Sequence, residues 1–212
     1  RKVVIAIHGW TGDVSSMEPV ARSLRLPDTK WVFPQAPYKS DKSGYTWFDG
    51  NDETGWKYKD SFKIINSLIQ DLLDQGFKYD EIFLLGFSQG ACLAIEWIIR
   101  QPFSIGGAIP IAGFIKYKDR FKIDATLGSK GTQILLIHGD MDDNVYMYHT
   151  LRLAHELIQN NKDFDMLIIP EIEHSPVDSE TSLKSWKYFW RKRWDYFVQH
   201  LLDEIPPANF GL

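Results

Sequence analysis

The chain has 212 residues, with 24 Lys and Arg against 28 Asp and Glu, and 44% of its residues are hydrophobic. This apolar content and the net charge of −4 exclude a disordered chain and a global basic field for nucleic acid. One cysteine excludes an intrachain disulfide and a multi-cysteine zinc site, and no stretch reaches the roughly 20 apolar residues of a membrane helix. We therefore expect one domain over residues 1–212, cytoplasmic, without a nucleic acid partner and without stable membrane insertion.

Hydrophobic periodicity alternates along the chain between strand-like and helix-like segments. Short apolar runs bounded by Gly or Pro predict strands at residues 3–7, 31–33, 81–85, 107–112, 133–138 and 166–170. Helical spacing predicts helices at residues 15–26, 62–73, 89–100 and 146–160, and a last helix that ends near residue 202. The polar segment 39–59 is predicted to be a loop. This alternation predicts an α/β fold with a mostly parallel central sheet and helices on both faces.

Polar clusters follow four of the predicted strands. They occupy residues 8–13, 86–91, 138–143 and 171–175. In a parallel sheet the carboxyl ends of the strands share one edge, which is where α/β proteins place their chemistry. The sequence therefore predicts a site at this edge.

Residues 86–90 read Gly-Phe-Ser-Gln-Gly between a predicted strand and a predicted helix, the context of a nucleophile elbow. A strand that turns directly into a helix holds its central residue in a strained conformation, and glycines two positions away leave the necessary space. Ser88 is therefore the predicted nucleophile. The alternative is a Gly/Ser turn without chemistry, which the strand-to-helix context disfavours.

A serine hydroxyl needs a neighbouring base, and the base needs a carboxylate that orients it. Of the six histidines, His174 alone follows the last predicted strand in a polar loop, and it is the predicted base, with His138 as the fallback. The loop after the fifth strand offers Asp140, Asp142 and Asp143. Asp142 is chosen as the acid because it lies far enough past the strand end to turn back towards the site.

The oxyanion of an acyl transfer reaction needs two backbone N–H donors. One is predicted at Gln89, directly after the nucleophile, and the other at Trp10, in the loop after the first strand. This chemistry implies no metal and no organic cofactor.

These segments resemble the phospholipase/carboxylesterase group of α/β-hydrolases, which includes acyl-protein thioesterases and small bacterial carboxylesterases. The matching segments are residues 8–13, 33–37, 47–49, 86–91, 138–142 and 174. The resemblance implies a single α/β-hydrolase domain and the roles already derived, with Ser88 as nucleophile, Asp142 as acid, His174 as base, and Trp10 and Gln89 as oxyanion donors. The sequence departs from the group after the acid, where residues 143–146 read Asp-Asn-Val-Tyr, so which carboxylate faces the base stays open.

We expect a serine carboxylesterase that hydrolyses small-molecule esters through an acyl-enzyme. Trp47, Phe48 and Phe114 are predicted to line an aromatic cleft for the substrate, and packing in the core is the alternative for each of them taken singly. Residues 113–131 are either a short cap over the site or a solvated connection. The last helix carries tryptophans among basic residues, which suits either packing on the sheet or weak contact with a membrane surface.

An acyl-protein thioesterase or a lysophospholipase is the alternative within the same chemistry. A non-catalytic binding module on the same fold is the alternative of a different class.

Overall fold

The computed structural model describes residues 1–51, 53–115, 125–174 and 183–208. The strands are β1 Lys2–Ile7, β2 Thr29–Val32, β3 Tyr38–Lys39, β4 Tyr45–Thr46, β5 Asp49–Asn51, β6 Gly55–Lys57, β7 Ile82–Phe87, β8 Gly107–Ile111, β9 Gln133–Gly139 and β10 Asp165–Ile169. The helices are α1 Glu18–Leu24, α2 Lys59–Asp74, α3 Gln89–Ile98, α4 Met147–Gln159 and α5 Leu183–His200. Six strands form the central sheet in the order β10-β9-β8-β7-β1-β2, and its neighbouring strands run parallel.

The central strands are buried on both faces, which explains why they read as continuous apolar runs. In β1, Val3 and Ile5 pack in the core layer that contains side chains of α2, α3 and α4, whereas Val4 and Ala6 pack in the layer that contains side chains of α1 and α5. Successive side chains of a strand point to opposite faces, so one strand supplies both layers. The predicted fold class, an α/β sheet with helices on both faces, is confirmed.

The six predicted strands of this sheet are present, with ends within two residues of the predicted ones. The first helix is shorter than the predicted 15–26 for local reasons. The Asp13 carboxylate accepts the N–H of Ser15 at 2.9 Å and closes a turn before the helix begins. At the other end Arg25 has a φ of 46°, which ends the helix at Leu24.

The prediction that residues 39–59 form only a loop was wrong. β3 pairs with β4, and β5 pairs with β6, as two small antiparallel ladders. Strands of two or three residues are too short for side-chain alternation to appear in the sequence. Gly50 makes the second ladder possible, because a Cβ at its φ of 114° would lie 2.1 Å from the Gly55 carbonyl oxygen.

The last helix packs on the sheet through Phe189, Tyr196 and Phe197, which are buried. Its tryptophans at 186, 190 and 194 are half-buried beside α1. No helix among the described residues is long and apolar enough to cross a membrane. Of the predicted cap at 113–131, residues 116–124 lie outside the described residues, so the cap stays a prediction.

Candidate active site

Four loops at the carboxyl edge of the sheet carry the residues that the sequence singled out. Trp10 follows β1, Ser88 follows β7, Asp142 follows β9 and His174 follows β10. Ser88 has a φ of 51° and a ψ of −114°, and α3 begins at the next residue. This strained turn fits because Gly90 has no side chain: a Cβ there would lie 2.3 Å from the Ile7 carbonyl oxygen.

A continuous chain of hydrogen bonds joins the serine to a carboxylate. The Ser88 hydroxyl lies 3.0 Å from Nε2 of His174, and Nδ1 of His174 lies 2.7 Å from Oδ2 of Asp142. Because an ionised carboxylate can only accept, Nδ1 carries the ring proton and Nε2 is left to accept from the serine. This arrangement can take a proton from the hydroxyl as the oxygen attacks.

The Asp142 carboxylate is buried and receives donors on both oxygens. Oδ1 accepts the N–H groups of Asn144 at 3.0 Å and Val145 at 2.7 Å, while Oδ2 faces His174 and His138. Burial by itself would raise the pKa of Asp142, but the hydrogen bonds from His138, His174 and the Val145 N–H hold the pKa well below its ordinary value. The carboxylate is therefore ionised beside His174.

The other two carboxylates of this loop lie elsewhere. Asp140 accepts the N–H of Glu171 at 2.7 Å, and Asp143 is exposed. Of the three carboxylates in this loop, the structure therefore places Asp142, the one chosen from the sequence, beside His174.

His138, the fallback base, is placed where it cannot serve Ser88. Its side chain is buried, and both of its ring nitrogens contact other groups, namely Thr150 Oγ1 at 2.6 Å and the Val145 carbonyl at 2.7 Å. The geometry favours His174 as the base.

The loop after β1 is fixed by a histidine whose role the sequence did not reveal. Nδ1–H of His8 donates to the Gly9 carbonyl at 2.7 Å, and Nε2 of His8 accepts the N–H of Ala36 at 3.3 Å. Burial lowers the pKa of His8, so this neutral tautomer is maintained. In a planar trans peptide the C=O and N–H point in opposite directions. Holding the Gly9 carbonyl therefore directs the Trp10 N–H away from the ring, and both residues line the cavity beside Ser88.

Gln89 is held by its side chain. Its Oε1 accepts the backbone N–H of Trp47 at 2.8 Å and the hydroxyl of Thr46 at 3.1 Å. Its backbone N–H stands in the first turn of α3, where N–H groups lack intrahelical partners and the helix dipole favours negative charge. Both predicted oxyanion donors therefore stand beside Ser88.

An open cavity of about 770 Å³ surrounds Ser88 and His174. Its aromatic walls come from Trp10, Phe48, Trp56, Phe87 and Phe114. Two of the three predicted substrate contacts, Phe48 and Phe114, thus line it. The sequence missed Trp56, which lies in the segment predicted to be a loop, and Phe87, which precedes the nucleophile. The available signal for Trp56 was an aromatic residue in a Gly-containing segment that closely follows the matching segment 47–49.

Trp47, the third predicted substrate contact, is not one of the residues that line the cavity. Its side chain is 0% exposed, and its Nε1–H donates to the His8 carbonyl at 2.8 Å. Trp47 is therefore a buried side chain and not a substrate contact, and its hydrogen bond joins the segment after β4 to the loop after β1.

Among residues 1–51, 53–115, 125–174 and 183–208, no group of three or more His, Cys, Asp or Glu side chains is arranged to hold a metal ion.

Comparison with known proteins relates the chain to ester hydrolases. Residues 1–192 match the family described as Phospholipase/Carboxylesterase. The chain is 32% identical over 160 residues to acyl-protein thioesterase 1 of Kluyveromyces lactis, covering 67% of this chain and 70% of that protein. It is 26% identical over 204 residues to a probable carboxylesterase, SOBER1-like, of Arabidopsis thaliana, covering 88% and 78%. The crystal structure of Arabidopsis thaliana SOBER1 has the same fold, with a TM-score of 0.75 at 22% identity over 92% of this chain and 99% of that one.

Proposed function

This chain belongs to the phospholipase/carboxylesterase family of hydrolases, and we propose that it is a serine carboxylesterase that forms an acyl-enzyme on Ser88. The observation that carries the proposal is the chain of hydrogen bonds from Ser88 through His174 to Asp142, with distances of 3.0 and 2.7 Å. It opens onto an aromatic cavity that suits an apolar acyl group or an aromatic ester.

In the first half of the reaction, Ser88 Oγ attacks the ester carbonyl carbon while Nε2 of His174 takes the hydroxyl proton. The buried Asp142 carboxylate stabilises the imidazolium that forms. The carbonyl oxygen becomes an oxyanion, which accepts hydrogen bonds from the backbone N–H groups of Trp10 and Gln89. The tetrahedral intermediate then collapses, the bond from carbon to the alcohol oxygen breaks, and His174 gives its proton to the leaving alcohol.

In the second half, water attacks the acyl carbon and His174 takes a proton from it. Collapse of the second intermediate breaks the bond to Ser88 Oγ, and His174 returns the proton to that oxygen. The products are a carboxylic acid and an alcohol, and the enzyme is regenerated with its original protonation.

We propose small-molecule carboxylic esters as the substrates. A second candidate is an acyl-protein thioester, because the relative from Kluyveromyces lactis is named acyl-protein thioesterase 1.

The test is Ser88→Ala assayed with p-nitrophenyl esters of increasing acyl length, acyl thioesters and lysophospholipids. Ser23→Ala is the matched control, because Ser23 is an exposed serine on α1. We expect Ser88→Ala to abolish hydrolysis with the fold intact, and Ser23→Ala to behave as wild type. A fluorophosphonate probe should label wild type and Ser23→Ala, but neither Ser88→Ala nor His174→Ala. Activity of Ser88→Ala near that of wild type would exclude the nucleophile, and a wild-type protein that neither reacts with the probe nor turns over any substrate would favour a binding module.

A further inference from the structure

A second histidine lies on the far side of the acid, and the mechanism above does not use it. His138 is the penultimate residue of β9, and its side chain is 0% exposed. It shares a strand face with Ile134 and Leu136, which pack in the core layer containing side chains of α4. Its Nε2 lies 3.2 Å from Oδ2 of Asp142, the same oxygen that faces His174.

The surroundings of this ring fix where its proton lies. Nε2 faces the Val145 carbonyl at 2.7 Å and the Asp142 carboxylate at 3.2 Å, and both are acceptors only. Nε2 therefore carries a hydrogen and shares it between them. Val145 in turn donates its N–H to the other carboxylate oxygen of Asp142 at 2.7 Å. Nε2 of His138 therefore contacts both the Asp142 carboxylate and the Val145 carbonyl of the loop that carries Asp142.

The opposite side of the ring is anchored to two other elements. Nδ1 of His138 lies 2.6 Å from the Thr150 hydroxyl oxygen on α4, and the same hydroxyl oxygen lies 2.6 Å from the Gly113 carbonyl oxygen. Gly113 precedes Phe114, which lines the cavity. The imidazole is therefore held at both nitrogens and cannot turn away from Asp142.

We propose that His138 is a positioning residue of the hydrolysis reaction, which holds the Asp142 carboxylate in the orientation where Oδ2 accepts the Nδ1–H of His174. This inference rests on the proposed function. It assigns His138 no contact with substrate, because its action passes through Asp142.

If His138 positions Asp142, its removal changes the pH dependence of hydrolysis, which a purely structural role in core packing would not do. A donor on a carboxylate stabilises its charge, so removing the donor makes Asp142 a stronger partner for the imidazolium of His174. The acidic limb of the kcat/KM profile then moves to higher pH. Among the described residues, His174 faces the same carboxylate oxygen, and His149 on α4 interacts with the charge of His138. Burial lowers the pKa of His149, and the charges of Arg152 and His138 lower it further.

The test compares His138→Asn with His138→Gln across pH. Asparagine loses the donor at the Nε2 position, whereas glutamine can place an amide N–H near it. We expect His138→Asn to lose about 10- to 100-fold in kcat, the loss that is typical when the hydrogen-bond partner that orients a metal-ligating side chain is removed. KM should stay close to that of wild type, the acidic limb should move to higher pH, and His138→Gln should recover part of the loss.

Two control variants separate this effect from general damage. Leu136→Ala removes a buried side chain from the same strand face, and should lower Tm without moving the acidic limb. His155→Gln changes an exposed histidine on α4 and should match wild type. A wild-type kcat and pH profile for His138→Asn, or an equal shift of the limb in Leu136→Ala, would overturn the inference.

If His138→Asn does not fold, Thr150→Val and Thr150→Ser carry the same test from the other side of the ring. Thr150→Val removes the hydroxyl that holds Nδ1, so the ring can turn and Asp142 loses its donor. It should therefore lower kcat and shift the acidic limb as His138→Asn does, whereas Thr150→Ser should keep the kcat and the pH profile of wild type. A wild-type profile for Thr150→Val overturns the proposal. Ser88→Ala measured alongside keeps the two failures distinct: if it stays active the proposed function fails, whereas if it is inactive and His138→Asn behaves as wild type only this inference fails.

Discussion

Gly90→Ala tests whether the contact between α3 and β1 sets the geometry of the oxyanion site. Gly90 lies in the first turn of α3, one residue after Gln89. A Cβ at this position would lie 2.3 Å from the Ile7 carbonyl oxygen and 2.5 Å from that of His8, both of them backbone atoms. Ordinary contact begins near 3.4 Å, so the helix and the strand must separate by about 1 Å.

This separation of α3 from β1 would change the distance between the two proposed oxyanion donors, which are the backbone N–H groups of Trp10 and Gln89. Ile7 and His8 lead into the loop that carries the Trp10 N–H, while Gly90 follows the Gln89 N–H. A misplacement of about 1 Å in a catalytic site can cost about 100-fold in rate. We expect Gly90→Ala to lose about this much in kcat, with a smaller change in KM. Overpacking should also destabilise the protein by about 1–3 kcal/mol.

The assay is kcat for a p-nitrophenyl ester, measured well below the Tm of each variant, with the folded fraction checked by circular dichroism. Gly128→Ala is the matched control, since a Cβ there would lie 1.9 Å from the Pro102 carbonyl oxygen and Gly128 does not line the cavity. It should lower Tm but keep the kcat of wild type. The reasoning is refuted if Gly90→Ala keeps the wild-type kcat, or if Gly128→Ala loses as much activity.

Two further predictions concern the acid. Asp142→Asn should lower kcat by about 10⁴-fold, because an amide in place of the carboxylate favours the wrong tautomer of His174. Asp143→Asn should keep a kcat near that of wild type. A reversal of these two results in the ester assay would show that Asp143 is the acid. The lowered pKa of Asp142 means that its stabilising contribution is present in full above the unfolded value of about 3.9 and is lost as the pH falls through the lower folded value. In thermal melts, the Tm difference between wild type and Asp142→Asn should therefore shrink as the pH is lowered from about 5 to about 3, and a constant or growing difference contradicts it.

The sheet and the strained turn that carries Ser88, the proposed nucleophile, could be predicted from sequence because both are encoded locally. Apolar runs of five or six residues predict buried strands, and the glycines at 86 and 90 mark the strained turn around Ser88. The two strand pairs β3–β4 and β5–β6 escape prediction because their strands are too short for a hydrophobic pattern. The second pair nevertheless places Trp56 at the cavity.

Where a side chain points depends on partners that are distant in sequence. Trp47 was expected to face the substrate, but its Nε1–H bonds the His8 carbonyl, 39 residues away. Asp140 and Asp142 are aspartates of the same loop, and partners distant in sequence separate their roles. The N–H of Glu171, 31 residues away, bonds Asp140, whereas His174, 32 residues away, bonds Asp142. His138 differs, because its partners Asp142, Val145 and Thr150 lie only 4, 7 and 12 residues along the chain. Hydrophobic periodicity does not reveal polar contacts of this kind, so they too escaped prediction.

The carboxyl edge of the sheet also contains strained backbone conformations. Four non-glycine residues with positive φ follow strands at the carboxyl edge: Thr11 after β1, Ser88 after β7, Ala112 after β8 and Glu171 after β10. Such conformations cost on the order of 1–3 kcal/mol each and persist only where neighbouring structure fixes them.

Hydrogen bonds that extend the sheet provide this restraint. The N–H of Ser88 donates to Ile111 at the end of β8, the N–H of Ala112 donates to Ile137 in β9, and the N–H of Asp140 donates to Ile169 at the end of β10. A line of backbone hydrogen bonds therefore runs along the edge from β7, which precedes Ser88, to β10, which precedes His174. Because these bonds involve no side chain of the proposed triad, we expect Ser88, Asp142 and His174 each to be replaceable without loss of the edge geometry, so that activity and stability can be measured independently.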